Sequence, residues 1–171
     1  MAATVTLKGS PLTLAGSPLQ VGQTAPQVCL VNRENQEIFV GGALGKPQIL
    51  IVVPSLDTPV CANEAKKFNE ALSALGDQIR AVVVSMDLPF AQKRYCDSYQ
   101  VAGIEVASDY RYRDMVKYGV VIAEGALRGI LARAVFVIDS AGKITYSELV
   151  PEIAQEPNYD AALAALRALL R

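Results

Sequence analysis

The chain has 171 residues, of which 51% are hydrophobic and 19% are charged, and its formal net charge is −1. This length predicts one domain over residues 1–171, with enough chain to bury a full core. The 16 Lys and Arg residues are balanced by 17 Asp and Glu residues, so no nucleic-acid partner is expected. The sequence contains no histidine, which excludes Ser-His-Asp hydrolysis, Cys-His proteolysis and histidine-ligated metal sites.

The three cysteines, Cys29, Cys61 and Cys96, are odd in number and far apart. This pattern excludes a dense disulfide framework and a four-thiolate metal site, and it favours a reducing compartment with one or more reactive thiols. No apolar run is long enough to span a membrane, and the first residues lack the basic-then-apolar layout of a signal peptide. We therefore expect a cytoplasmic protein with no membrane partner.

Two hairpins are predicted at the N-terminal end. Residues 4–8 and 12–15 flank the turn sequence Gly-Ser-Pro at 9–11, and residues 28–31 and 37–40 flank a polar turn.

Three apolar runs, at 48–53, 79–85 and 134–139, predict strands buried on both faces. Helices are predicted over 59–75 (ended by Gly76), 88–99, 111–118 (ended by Gly119) and 159–170, a short strand over 104–107, and an antiparallel partner of the third run over 144–150. This order predicts an α/β fold of the thioredoxin-like type, with a central mixed sheet flanked by helices on both faces and an N-terminal β-hairpin extension.

Cys61 lies at the start of a predicted helix, directly after a buried strand. Pro59 fits the first helical position, which makes Thr58 the N-cap and places Cys61 in the first turn. The free amides and the positive end of the helix dipole stabilise a thiolate there. The placement favours a nucleophile, while a small buried apolar cysteine remains the alternative.

The segment PSLDTPVC, from Pro54 to Cys61, has the form P-x-x-x-T-x-x-C and resembles the active-site motif of the peroxiredoxins. Three further segments resemble the bacterial thiol peroxidase subfamily, the atypical two-cysteine peroxiredoxins: residues 87–92 leading to Cys96, 125–129 and 132–139. The resemblance covers essentially the whole chain. One departure is Pro59, where glycine is common in the subfamily.

The resemblance implies that Cys61 is the peroxidatic cysteine, which attacks a hydroperoxide and becomes a sulfenic acid. It implies that the Thr58 hydroxyl accepts from one partner and donates to the thiolate or the peroxide, that Pro54 shields the site from water, and that Arg133 stabilises the thiolate and the leaving oxygen. The residues themselves leave simpler alternatives: an N-cap for Thr58, a strand terminator for Pro54 and a strand-end salt bridge for Arg133. Arg128 is interpreted as a surface residue.

The resemblance also implies that Cys96 is the resolving cysteine, which forms an intramolecular disulfide with Cys61. We expect the first turn of the Cys61 helix and the Cys96 helix to unwind for that step, because disulfides need close Cα atoms. The alternative for Cys96 is a core residue on an amphipathic helix. Cys29 is expected to be a buried, inert thiol.

The implied substrates are hydrogen peroxide and alkyl or lipid hydroperoxides, for which Leu56 and residues 86–90 supply apolar groups. The implied reductant is thioredoxin, the implied assembly is a homodimer, and no flavin, haem or metal is implied.

Three rival functions fit parts of the sequence. A thioredoxin-type oxidoreductase would carry a second cysteine soon after Cys61, where the chain has Ala62, Asn63 and Glu64. A non-catalytic thioredoxin-fold binding or chaperone module requires no reactive thiol. A carboxylate hydrolase could use Glu64 and Glu70, but a solvated helix face explains those two residues better.

Overall fold

A computed structural model describes residues 2–170 of the chain. The strands are β1 (Thr4–Leu7), β2 (Ser10–Thr13), β3 (Val28–Asn32), β4 (Glu37–Val40), β5 (Gln48–Val52), β6 (Arg80–Ser85), β7 (Glu105–Ser108), β8 (Ala134–Ile138) and β9 (Ile144–Leu149), and the α-helices are α1 (Pro59–Leu72), α2 (Pro89–Tyr99) and α3 (Tyr159–Ala168). Strands β3 to β9 form one sheet in the order β4-β3-β7-β6-β5-β8-β9. Its β5–β6 and β6–β7 pairs are parallel and its other pairs are antiparallel, as expected for a mixed sheet.

The two faces of the sheet are covered by different kinds of structure. Ile49 and Ile51 of β5 pack in one apolar cluster, together with residues of all three α-helices. Leu50 and Val52 point to the opposite face and pack in a second cluster. That second face is covered by the 3-10 helix Asp114–Tyr118 and by the connection that follows it. Helices therefore flank both faces as predicted, but the α-helices all lie on one.

Two predicted helices are shorter than expected because of local backbone conformation. Helix α1 ends at Leu72, and a 3-10 segment (Ser73–Gln78) follows in which Gly76 has φ +49° and ψ −127°. The helix predicted over 111–118 is only the 3-10 helix Asp114–Tyr118, because Arg113 before it is left-handed. Gly119, also left-handed, ends that helix as predicted.

The N-terminal hairpin lies against the segment that precedes α3. Its turn is Lys8–Gly9, with positive φ at both residues, so β2 begins two residues earlier than the sequence predicts. The Thr6 amide donates to the Pro151 carbonyl at 2.8 Å, and the Ile153 amide donates to the Thr6 carbonyl at 2.8 Å.

Glu152 strengthens this contact between the hairpin and residues 151–153. Its carboxylate accepts from the Gly9 amide and the Thr6 hydroxyl, both at 3.0 Å. Hydrogen bonds from the backbone, that of Ala154 first, lower the pKa of Glu152 to about 2. We call this contact, made by Thr6, Gly9, Glu152 and Ile153, the N-terminal clasp.

No helix within residues 2–170 is both long and apolar enough to cross a membrane.

Two glycines of the β4–β5 connection offer a matched test of packing. Gly41 and Gly45 have nearly the same backbone, with φ of +77° and +76°. A Cβ on Gly41 would lie 2.1 Å from the Pro26 carbonyl oxygen and 2.3 Å from the Tyr118 hydroxyl, which bond each other, whereas a Cβ on Gly45 meets nothing within 4 Å.

We expect Gly45→Ala to lower the free energy of unfolding by about 1–2 kcal/mol, the cost of a left-handed alanine. Gly41→Ala should cost a further ~1–3 kcal/mol from overpacking. Urea denaturation of both variants measures the difference. Equal losses would mean that backbone conformation alone makes Gly41 necessary.

Candidate active site

Cys61 is fully buried in the first turn of α1. The chain leaves β5 through Val53 and Pro54, both buried, and α1 begins at Pro59 with Thr58 as the N-cap residue. Cys61 is thus the third residue of the helix and has no exposed surface. The predicted placement of the thiol at a helix start is confirmed.

Arg133 brings together groups from three distant parts of the chain. It precedes β8 and is only 2% exposed. Its Nη1 lies 3.2 Å from Cys61 Sγ and 2.7 Å from Glu64 Oε2. Its Nε and Nη2 donate to the Ile153 carbonyl at 3.0 and 2.7 Å. The guanidinium is therefore fixed on one side by the N-terminal clasp and faces the thiol with the other.

These contacts keep Arg133 charged and aim its charge at the sulfur. Burial acts against the charged form, but the neighbouring Cys61 and Glu64 groups raise the pKa of Arg133 above its ordinary value. A buried guanidinium is a strong donor to an anion, because little water competes for it. The arrangement can hold a thiolate and also stabilise negative charge that develops on an oxygen beside it.

Glu64 is the residue of this site for which the prediction from sequence is wrong. The helix pattern predicts a solvated face that includes Glu64 and Glu70, and Glu70 is indeed exposed, but Glu64 is fully buried. Its spacing from Cys61 indicates this burial in the sequence, because a residue three positions after Cys61 lies on the same helix face. Burial raises the pKa of Glu64 to about 7, against the opposing effect of Arg133. Its Oε1 has no hydrogen-bond partner among the described residues.

The Thr58 hydroxyl donates its hydrogen bond to the backbone. The hydroxyl donates to the Ser55 carbonyl at 2.8 Å and makes no capping bond to the helix amides. In this structure the hydroxyl therefore does not donate to the Cys61 thiol, and its role toward a peroxide stays a prediction. The reason is local, because the turn that leads into α1 brings the Ser55 carbonyl within reach. The Thr58 oxygen remains available as an acceptor.

Asp87 holds the loop before α1 in place. It follows β6, whose carboxyl end lies beside that of β5 in the parallel pair. Its carboxylate accepts from the Ser55 hydroxyl at 2.7 Å and from the Leu56 amide at 2.8 Å. A cleft of about 710 Å³ opens beside this loop, between the start of α1 and α2. Its lining includes Leu56, Thr58, Ala62, Asp87, Arg94 and Tyr95.

Cys96 lies on α2, is 3% exposed and is a free thiol, as is Cys61. Burial raises the pKa of Cys96, while the nearby Arg33 guanidinium acts in the opposite direction. Arg33 also donates to the Val101 carbonyl at 2.7 Å, just beyond the end of α2. Both thiols belong to the same apolar cluster.

Cys29 differs from its prediction as a buried thiol, because it is only half-buried. Its neighbours along β3 are buried, but Cys29 pairs with Phe39 of the edge strand β4, and Phe39 is 52% exposed. The alternation of β3 therefore turns Cys29 toward a partly open face. Burial and the charge of Glu37 raise the pKa of its thiol.

Residues 20–163 match the model of the Redoxin family. The chain is 56% identical over 170 residues to a thiol peroxidase of Aquifex aeolicus, which covers 99% of this chain and 100% of the relative. It is 48% identical to a thiol peroxidase of Campylobacter jejuni over 90% of this chain and 87% of the relative.

Solved structures of related proteins also match the chain. A crystal structure of a peroxiredoxin-like protein from Aquifex aeolicus superposes with a TM-score of 0.95 at 56% identity, over 98% of both chains. A thiol peroxidase from Chromobacterium violaceum, at 20% identity and 98% coverage of both chains, has a TM-score of 0.84 and shares the fold.

Glu64→Gln tests the ionisation of the buried carboxyl. Its folded pKa of about 7 lies above the ordinary value of 4.5, so the folded protein holds this proton more tightly than the unfolded chain does. The stability contributed by Glu64 is therefore complete below the ordinary pKa and is lost as the pH rises through about 7.

We expect the free energy of unfolding of the wild type, relative to Glu64→Gln, to fall between about pH 4.5 and about pH 7 in urea denaturation. The control Glu70→Gln, on the exposed face of the same helix, should give a flat difference. A wild-type advantage that grows with pH would mean that pairing with Arg133 outweighs burial at Glu64.

Proposed function

The chain belongs to the Redoxin family and is a thiol peroxidase of the peroxiredoxin type, and on that premise we propose that Cys61 is its peroxidatic cysteine, with Arg133 as the group that activates it. This enzyme class excludes a non-catalytic thioredoxin-fold binding or chaperone module. The observation that carries the assignment is the 3.2 Å contact between Arg133 Nη1 and the buried Cys61 sulfur.

The first step follows from this geometry. The Cys61 thiolate attacks the terminal oxygen of a hydroperoxide, a sulfur–oxygen bond forms, and the oxygen–oxygen bond breaks. The leaving oxygen takes up a proton as water or an alcohol, and Cys61 is left as a sulfenic acid. Arg133 stabilises the thiolate and then the charge on the leaving oxygen, so no histidine base is needed.

Thr58 and Pro54 complete the proposed site. The Thr58 hydroxyl proton is held by the Ser55 carbonyl, so its oxygen accepts a hydrogen bond from the peroxide. Pro54 is buried at the end of β5, where its ring limits the access of water and offers no backbone donor. Both residues act on the position of the peroxide rather than on the sulfur.

Cys96 is the proposed resolving cysteine. Its thiol attacks the Cys61 sulfenic acid, a disulfide forms, and water leaves. Both thiols are buried in folded helices, so the first turn of α1 and part of α2 unwind for this step. Cys29 lies on strand β3, whereas Cys61 and Cys96 lie on helices and share one apolar cluster. This placement favours Cys96 as the partner.

We further propose the range of substrates and partners. The apolar part of the cleft beside Thr58 suits alkyl and lipid hydroperoxides as well as hydrogen peroxide. Thioredoxin reduces the disulfide through thiol exchange, and three free cysteines suit a reducing compartment such as the bacterial cytoplasm. Leu88 and Phe90, 51% and 72% exposed at the start of α2, supply an apolar surface for a homodimer.

Cysteine variants test the assignment of the two thiols. We expect Cys61→Ser to lose all peroxidase activity, and Cys96→Ser to lose thioredoxin-coupled turnover while still reacting once with peroxide. NADPH consumption in the presence of thioredoxin and its reductase, with hydrogen peroxide and with cumene hydroperoxide, measures turnover. Cys29→Ser is the control and should remain active, and disulfide mapping should find the Cys61–Cys96 bond only where both cysteines are present. Full activity in Cys61→Ser would refute the assignment.

Arg133→Lys tests the guanidinium separately from its charge. Lysine keeps the positive charge but cannot bond Ile153, Glu64 and Cys61 at once. We expect the second-order rate constant for oxidation of Cys61 by hydrogen peroxide to fall by about 10²–10³-fold. The exposed Arg128→Lys, on the preceding connection, should react at the wild-type rate. An unchanged rate in Arg133→Lys would show that charge alone suffices.

A further inference from the structure

One hydrogen bond joins the helices that carry the two cysteines. The Tyr95 hydroxyl donates to the Ala62 carbonyl. Ala62 follows Cys61 in the first turn of α1, and Tyr95 precedes Cys96 on α2. A single contact thus ties the backbone beside one thiol to the side chain beside the other.

The surroundings of Tyr95 keep this bond intact in the folded protein. The residue is 7% exposed, and its ring stacks on that of Tyr99 with centroids 4.7 Å apart. Burial, followed by the nearby Cys96, Tyr99 and Cys61 groups, raises the pKa of Tyr95, so its hydroxyl remains protonated and able to donate. A buried hydroxyl and carbonyl that lose each other leave unpaired polar groups.

The bond must break when the two helices open. Both thiols are buried among the same apolar residues, and neither is in a disulfide. Moving Cys61 and Cys96 into disulfide geometry displaces the first turn of α1 and the middle of α2, which are the segments that Tyr95 joins. The contact of Arg33 with Val101, near the far end of α2, does not depend on Tyr95.

We propose that Tyr95 is a positioning residue that couples the opening of the Cys61 turn to the opening of the Cys96 helix, so that the two segments unwind together and not one at a time. The inference rests on the proposed function for the role of Cys96. While the bond holds, Cys61 stays beside Arg133 in the arrangement that reacts with peroxide. When it breaks, both thiols become free to meet.

This coupling sets a competition at the sulfenic acid. If the helices open, Cys96 attacks, the sulfur–oxygen bond breaks, and the disulfide and water are formed. If they stay closed, a second hydroperoxide transfers an oxygen to the sulfenic acid, giving a sulfinic acid and one more molecule of water or alcohol. The strength of the Tyr95 bond therefore determines how much peroxide the enzyme tolerates before it is inactivated.

The variant Tyr95→Phe removes the hydroxyl and keeps the ring. Tyr99→Phe is the matched control, because it lies one helical turn further along and its hydroxyl makes no hydrogen bond among residues 2–170. The first measurement is amide hydrogen exchange of the reduced protein, in peptides covering α1 and α2, with α3 as the internal reference.

We expect exchange in Tyr95→Phe to be about fivefold faster in α1 and α2 alike, the factor that corresponds to one net hydrogen bond, and unchanged in α3. Tyr99→Phe should match the wild type. Faster exchange in α2 alone, or in neither helix, would overturn the coupling. This measurement needs no catalytic turnover, so it is decisive even if Cys96 proves not to be the resolving cysteine.

The second measurement follows the two fates of Cys61 by mass spectrometry after mixing with hydrogen peroxide. We expect Tyr95→Phe to form the Cys61–Cys96 disulfide about fivefold faster and to need about fivefold more peroxide for half-conversion to the sulfinic acid. If the wild type forms the disulfide and Tyr95→Phe forms it no faster, the inference fails. If the wild type forms no such disulfide, the proposed role of Cys96 fails, and the exchange data alone decide the coupling.

Discussion

The buried guanidinium of Arg133 is the constraint on which this structure depends. A charge with 2% exposure costs several kcal/mol unless every donor finds a partner. The partners come from the start of α1, where Cys61 and Glu64 share a helix face, and from the carbonyl of Ile153 beyond β9. The central sheet places Arg133 at the start of β8, and the N-terminal clasp holds Ile153 opposite it. The N-terminal hairpin, an addition to the thioredoxin-like core, thus helps to stabilise the same buried charge that the core holds.

The two proposed chemical steps make opposite demands on the same residues. Reaction with peroxide requires Cys61 to be enclosed and close to Arg133, in a site where little water weakens the electrostatic contact. Resolution requires the same thiol to leave that enclosure and meet Cys96. Asp87 and Tyr95 help to keep Cys61 enclosed, because each holds a segment beside it in place. The absence of histidine from the chain fits this division, because a fixed guanidinium supplies the stabilisation without taking up or releasing a proton.

The sequence predicts well the buried strands and the start of the first helix, which depend on neighbours along the chain. Continuous apolar runs identify the buried strands, and Pro59 identifies the start of α1 and therefore the place of Cys61. The resemblance carried by the cysteine motif, which the family comparison confirms, extends this reading to the whole chain. The structure then places Arg133 against the thiol that this motif contains.

At the site, the prediction for Glu64 failed because a distant residue decides its environment. A glutamate on an amphipathic helix is predicted to be solvated. Only the approach of Arg133, 69 residues away, makes a buried Glu64 favourable. The role of Ile153 lies in its carbonyl, which no side-chain pattern reports. The N-terminal clasp, which holds this carbonyl, also determines when the site forms during folding. It joins Thr6 to a segment 145 residues later, and closures over so long a loop form late. A chain still emerging from the ribosome can already contain Cys61 and its helix, yet it lacks the guanidinium to which the proposed function assigns the activation of the thiol. On that proposal, reactivity toward peroxide arrives only with the finished fold.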